Sequence, residues 1–272
     1  MTSSSALDHS SSTRVVLLGA SNLTLGIAGV VETARLAIGG PLRFLIAMGH
    51  GRSYGRRSSV LGRSLPGISE CGLWEALRRD SASRSFALLT DIGNDVAYGA
   101  SVDSIQRWVA ECLDRLADVD ARIVLTLLPM ESLQALSRWR FEVARAILFP
   151  GRRLSLDDAL ARSRELDDRL RELGRRPNIR LAENPGRFYG VDPIHIRRRC
   201  RVAVWAQLMR SWGVWGAWGV DGSQTRPLPR ASLGRWLRIR LATPERWWLL
   251  GRRRGRPQPA GRLADGSTIA LY

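Results

Sequence analysis

Three residues far apart in this sequence have the chemistry of acyl transfer: Ser21 in GASN, and Asp192 and His195, three apart in DPIHI. A serine hydroxyl becomes a nucleophile when a base takes its proton and a third group orients that base. The chain has only three histidines. His9 lies in a polar leader beside Asp8, and His50 sits inside a glycine turn with no carboxylate near it in sequence. His195 alone has a carboxylate at a short, fixed spacing within the folded part. Residues at i, i+3 share one turn, and Pro193 between them stiffens the backbone and suits the first turn of a helix. That spacing lets Asp192 accept the Nδ1 proton and leaves Nε2 facing a serine. A solitary D-x-x-H is more often an N-cap aspartate beside a surface histidine; this one is accompanied by reactive residues at other predicted strand ends.

A second serine competes. GHGRSYG, Gly49–Gly55, contains G-x-S-x-G around Ser53, the pattern of a nucleophile elbow. An elbow serine is followed at once by a helix of small apolar residues, whereas Ser53 is followed by YGRRSSVLGRSLPG, which reads as a loop. Only one strand precedes its own, too few for an elbow. Ser21 instead precedes a helix with a clear apolar stripe, whose N-terminal dipole favours developing negative charge. Ser21 is the preferred nucleophile. The oxyanion of an acyl-transfer intermediate needs donors, each worth roughly 10²–10³ in rate. Three are in reach: the Ser21 N–H, a backbone N–H of the glycine turn, and the Asn94 amide in DIGND. Arg52, Arg56 and Arg57 flank the turn and read as a solvated loop, with selection of anionic substrates as the other reading.

The elements that must carry these groups can be read from the hydrophobic pattern. RVVLLGASN, LRFLIAMG (42–49), FALLTDIG (86–93), RIVLTLLP (122–129) and NIRLAENP (178–185) read as five strands. Between them lie helices. TLGIAGVVETARLA places Ile27, Val30, Val31 and Ala34 on one face. A helix from Ser101 aligns Val102, Ile105, Trp108, Val109, Cys112, Leu113 and Leu116. ESLQALSRWRFEVARAIL reads as one helix, 156–173 as another capped by Ser155 with Asp158, and a last runs from about Ile196 to Trp212. Alternating strands and helices imply an α/β fold: a doubly wound, mainly parallel five-stranded sheet with helices on both faces. Ligands bind such sheets beyond the C-terminal strand ends. Those ends deliver Ser21 and Asn22, the glycine turn, Asn94 and Asp95, and, after a short loop, Asp192 and His195.

Length and composition bound the rest. The 272 residues suit one α/β domain over 14–212 with a small C-terminal β appendage over 213–272 and a disordered Ser-rich leader over 1–13. In the tail the candidate strands are WLRIRL, RWWLL and STIALY, and GRRRGRPQPAGRLADG between the last two is turn-rich. The tryptophans there are read as packing onto the main domain. The net charge is +17, and all 42 basic residues are arginine, a compositional bias rather than a ligand signature. Non-specific attraction to nucleic acid or anionic lipid follows from such charge, but no specific nucleic-acid partner is expected. Cys71, Cys112 and Cys200 have no C-x-x-C spacing, which argues against a disulfide framework or zinc site. No cofactor or metal is expected. The leader lacks the order of a secretory signal, and no apolar run approaches the roughly 18–20 residues of a membrane span, so a cytoplasmic location is expected.

Four blocks, LLGASNLTLG, AMGHGRSYG, DIGNDVAYG and VDPIHI, resemble in kind and order the SGNH hydrolases, or GDSL esterases/lipases, over about residues 14–212. The resemblance implies a flavodoxin-like fold and a serine esterase or deacylase acting on a small-molecule or sugar-linked acyl ester. It makes Ser21 the nucleophile, His195 the base and Asp192 its orienter. The oxyanion donors it implies are Ser21, Asn94 and a glycine, Gly51 or Gly49. Two departures stand out. Gly19-Ala20-Ser21 lacks the aspartate of G-D-S, which bears on local packing, and Ile92 replaces the first glycine of G-x-N-D. An acyltransferase using the same residues is the alternative within this chemistry. A non-catalytic protein binding nucleic acid or anionic lipid through its Arg/Trp tail is the alternative outside it.

Overall fold

A computed structural model describes residues 13–60, 62–148, 154–190, 192–214, 234, 237, 239 and 242–272. Its first strand, β1 (Thr13–Leu18), buries every residue. Alternate side chains go to opposite faces, so Val15 and Leu17 enter one apolar layer and Val16 and Leu18 the other. A strand buried on both faces is what a parallel sheet requires.

From β1 the chain enters α1 (Ser21–Ile38), β2 (Leu42–Ala47), a short hairpin of β3 (Ser58–Val60) and β4 (Arg63–Leu65), then α2 (Leu73–Arg79) and β5 (Arg84–Leu89). There follow α3 (Asn94–Ala97), α4 (Val102–Ala117), β6 (Arg122–Thr126), α5 (Met130–Gln134), α6 (Arg138–Leu148), α7 (Leu156–Leu173) and β7 (Ile179–Ala182). Helix α8 (Arg201–Arg210) and strands β8 (Arg246–Leu249), β9 (Arg252–Gly255), β10 (Gly261–Arg262) and β11 (Thr268–Leu271) complete the order. The five expected strands pair in parallel as β2-β1-β5-β6-β7. Helices α1 and α8 cover one face; α2, α4 and α7 cover the other.

The sheet has seven strands rather than five. β11 runs parallel to β2 and β10 pairs antiparallel with β11. In a five-stranded sheet β2 would be a bare edge, and covering it satisfies its outer row of backbone groups. STIALY is therefore a strand of the main sheet, not of an appendage. The presumed loop after Gly55 is also structured: β3, β4, β8 and β9 form a four-stranded antiparallel sheet. Of WLRIRL only Leu237 and Ile239 are described, and both lie in helical backbone, not strand.

Two helix boundaries also differ from expectation. The single helix over 131–148 is broken into α5 and α6, with Ser137 accepting from Phe141 N at the new start. Helix α8 starts at Arg201 rather than Ile196; the segment before it is tied elsewhere, Ile196 N to the Asn22 side chain and Arg197 N to Phe188 O. The Ser155 cap is as expected, its Oγ accepting from Asp158 N at 3.0 Å. Residues 1–12 of the leader lie outside the described residues, and Thr13 already belongs to β1.

Candidate active site

Ser21 is the first residue of α1, one turn past the end of β1. Its predecessor Ala20 offers no capping side chain, and the exposed N–H groups of the first helical turn need acceptors. Asp91, beyond the end of β5, supplies them. Its Oδ2 accepts from Ala20 N, Asn22 N and Leu23 N at 2.8, 3.1 and 3.2 Å. The N–H that this fan passes over is that of Ser21. Asp91 holds φ at 62°, a left-handed backbone that aspartate tolerates better than most residues. The turn, which has alanine at position 20, is thus capped by a carboxylate from beyond the neighbouring strand.

Asn22 ties this turn to the histidine loop. Its Nδ2 donates to Asp91 Oδ1 and to Ile194 O, both at 2.8 Å, and its Oδ1 accepts from Ile196 N at 2.8 Å. The loop is therefore held on both sides of His195 by the residue next to Ser21. Ser132 Oγ, on α5, adds a bond to Pro193 O at 2.9 Å. The segment is not the first turn of a helix as expected. It is a bend in which Asp192 Oδ1 accepts from Ile194 N and His195 N, an Asx-type turn.

This geometry brings together Ser21, His195 and Asp192. His195 Nε2 lies 2.8 Å from Ser21 Oγ, and Nδ1 lies 2.5 Å from Asp192 Oδ2. Burial tends to raise the Asp192 pKa, but the imidazole and the two backbone N–H groups outweigh it and hold the carboxyl below its ordinary value. Ser21 is 8% exposed, enough shelter to limit competing water. A hydroxyl, an imidazole and a carboxylate so connected can pass a proton from the hydroxyl to Nε2 while the carboxylate steadies the imidazolium.

Asn94 opens α3 and lines a cavity of about 440 Å³ beyond the ends of β5 and β6. Its Nδ2 is buried with no hydrogen-bond partner, an unmet donor of the kind found where a ligand completes the set. The cavity walls are mainly apolar, with Leu128, Leu133, Leu136 and Phe141 among them, and Asp192 and Pro193 border it. Gly51 and Gly49 both sit where a side chain has no room. A Cβ on Gly51 would lie 2.6 Å from Tyr98 Oη, and its φ of 60° suits glycine; a Cβ on Gly49 would lie 2.3 Å from Leu65 Cδ1. Tyr98 Oη donates to Gly51 O at 2.6 Å, which orients that peptide.

Ser53 is not part of this set. It is 1% exposed, its Oγ donates to the Asp95 carboxylate, and it accepts from Gly55 N and Arg56 N. Tyr54 N donates to the other Asp95 oxygen at 2.8 Å, and burial pushes the Asp95 carboxyl up to about 6. Arg52 is no solvated loop residue. It is fully buried and donates to Met48 O, Pro66 O and Tyr272 O. Arg56 and Arg57 lie over the rings of Trp108 and Trp248. Sequence reasoning missed Asn22 and Asp91 as organisers; the signal available was their position at the same strand ends as Ser21 and Asn94.

Among the described residues no group of three or more His, Cys, Asp or Glu could hold a metal ion. No protein-family model matches the chain, and no curated protein matches it. Among solved structures it is similar to a member of the lipolytic protein G-D-S-L family from Veillonella parvula DSM 2008, with 12% identity over 72% of this chain and 95% of that one and a TM-score of 0.44. It is likewise similar to a carbohydrate acetylesterase family member from Sinorhizobium meliloti, with 12% identity over 74% of this chain and 99% of that one and a TM-score of 0.48. These likenesses concern the course of the chain, and the activities in those names stay with those proteins. On its own strand order, a parallel β2-β1-β5-β6-β7 with helices on both faces, the chain has a doubly wound, flavodoxin-like α/β fold, with Ser21, the glycine turn and Asn94 just after β1, β2 and β5 and Asp192 and His195 on a loop beyond β7.

Proposed function

We propose that this protein is a serine esterase that cleaves a carboxylic ester through an acyl-serine intermediate. The observation that carries the reading is the continuous chain Ser21 Oγ–His195 Nε2, His195 Nδ1–Asp192 Oδ2. In the first half-reaction Ser21 Oγ bonds to the ester carbonyl carbon as its proton passes to Nε2. The carbonyl oxygen takes the negative charge, and the donors for it are Ser21 N–H, the Asn94 amide and a glycine N–H, from Gly51 or Gly49. The C–O bond to the alcohol then breaks, and the alcohol leaves with the proton from Nε2. In the second half water attacks the acyl carbon and gives its proton to Nε2; the bond from that carbon to Oγ then breaks, Oγ takes the proton from Nε2, and the acid leaves.

The cavity is lined by Asn22, Asn94 and Asp192 but by neither Ser21 nor His195, so it adjoins the nucleophile through its neighbours, and an acyl chain that extends from Ser21 past Asn94 would enter it. Its volume, about 440 Å³, lies in the range of small-molecule sites, and its walls suit an apolar chain of several carbons better than acetyl alone. Small-molecule and sugar-linked acyl esters both fit this reading, and a cytoplasmic location goes with it.

Labelling with a fluorophosphonate, which reacts with activated serines, tests the proposal when the modified peptide is mapped. Modification of Ser21 is expected. Modification of Ser53, or none, overturns it. A p-nitrophenyl octanoate turned over with a higher kcat/KM than the acetate is expected if the cavity holds the chain; the reverse order overturns that assignment.

A further inference from the structure

The antiparallel sheet ends in a hairpin whose tip runs against ordinary folding preference. β8 and β9 are joined through Leu250 and Gly251, with φ of 47° and 79°. A two-residue turn of this kind normally takes Asn-Gly or Asp-Gly, because leucine gains nothing from a left-handed backbone. Leu250 is nonetheless there, and it is 81% exposed, the most exposed large apolar side chain among the described residues. Its N–H donates to Gly62 O at 2.9 Å, so the tip is fixed against the neighbouring hairpin. Leu249 beside it is 44% exposed. An apolar, strained and solvated tip costs stability without a folding role to offset it, which is a mark of function at a surface.

The residues behind the tip decide the kind of surface. Arg252, Arg253 and Arg254 open β9 and are all exposed, and Arg256 just beyond it is exposed as well. Trp247 and Trp248, half-buried on β8, stand on the facing strand, paired with Arg254 and Arg253. Leucine stands at the apex, with Arg252 opposite Leu249 just behind it and Arg253 and Arg254 level with Trp248 and Trp247 further back. An apolar tip is thus backed by a band of arginine and tryptophan, as a bilayer's hydrocarbon and headgroup region would meet them. Nucleic acid would use the arginines and bases could stack on tryptophan, but neither calls for leucine at the apex. We propose that the β8–β9 hairpin docks peripherally on an anionic phospholipid surface, with Leu250 inserted and the β9 arginines on the headgroups. Among the described residues no helix is long and apolar enough to cross a membrane, so the contact is interfacial. This inference stands independently of the proposed esterase chemistry.

Sedimentation of the full-length chain with vesicles tests it. Binding to phosphatidylcholine vesicles containing phosphatidylglycerol, and little to phosphatidylcholine alone, is expected. Leu250→Asn keeps the fold, since asparagine suits the left-handed turn, and should lower the partition coefficient about tenfold or more. Each of Arg252→Gln, Arg253→Gln and Arg254→Gln should lower it roughly fivefold. Leu250→Trp should retain binding and show fluorescence quenched by brominated lipid. No binding to the anionic vesicles, or binding unmoved by Leu250→Asn, overturns the proposal. So does retention of Leu250→Asn on an RNA or DNA oligonucleotide that outcompetes the vesicles, or a Leu250-dependent dimer in place of lipid binding.

Discussion

Two serines follow neighbouring parallel strands, Ser21 after β1 and Ser53 after β2, and they differ in what surrounds the hydroxyl. Ser53 Oγ has every capacity filled: it donates to Asp95 and accepts two backbone N–H groups. Ser21 Oγ meets one side-chain partner, the imidazole of His195, and Asn94, after β5, keeps a buried amide without a partner. A hydroxyl locked into a turn is a structural post; one that meets an imidazole backed by a carboxylate is the proposed nucleophile. What surrounds a hydroxyl is set by its hydrogen-bond inventory, and a local pattern such as G-x-S-x-G does not report it.

The widest separation between the two turns should come from removing each hydroxyl. Ser21→Ala is expected to lower kcat for p-nitrophenyl ester hydrolysis by about 10⁴ or more, while Ser53→Ala leaves it within a few fold. Equal losses would erase the distinction. Next in size, Asn94→Ala should lower kcat by about 10²–10³ with KM little changed, because its amide would act on the oxyanion and not on the bound ester. A rise in KM alone would place Asn94 outside the oxyanion site.

Around Ser53 the effects should be on stability. Asp95 has its pKa raised to about 6 from an ordinary 3.8, chiefly by burial. A carboxyl whose pKa rises on folding contributes most when protonated in both states, below about 3.8, and that contribution is lost as pH rises through about 6. The stability of the parent chain relative to Asp95→Asn should therefore fall by roughly 3 kcal/mol between those limits, read from urea midpoints. A difference flat with pH would contradict it. Smallest of all, Ser53→Ala should cost about 1–3 kcal/mol near neutral pH by leaving the Asp95 carboxylate a donor short. Comparison of urea midpoints checks this, and no change would mean that the turn does not rely on Ser53.

The five-strand order, the helix stripes and the strand-end residues were legible because each rests on local periodicity. Val102 through Leu116 declare a helix face wherever it packs, and Ser155 with Asp158 announces its own cap. Less legible were features set by partners distant in sequence. Short β3 and β4 lack any periodic signal and exist because β8 pairs with β4. The tail looked separate because its texture changes at Gly213, yet its last strand was the edge that β2 lacked. Arg52 looked like a surface charge and is buried, since three carbonyls, one of them 220 residues away, receive its guanidinium.

For the site, the sequence by itself determined which residue types could react and at which strand ends they stand, because spacing and strand order are properties of the chain alone. It left Gly51 and Gly49 undivided, and so does the structure, where both exclude a side chain. Tertiary structure alone decided that Asn22 grips the loop on either side of His195, that Asp91 caps the turn under Ser21, and that Ser53 is consumed by Asp95. The reason is physical: a hydrogen bond is fixed by distances between atoms that the fold brings together, and no local pattern specifies those distances.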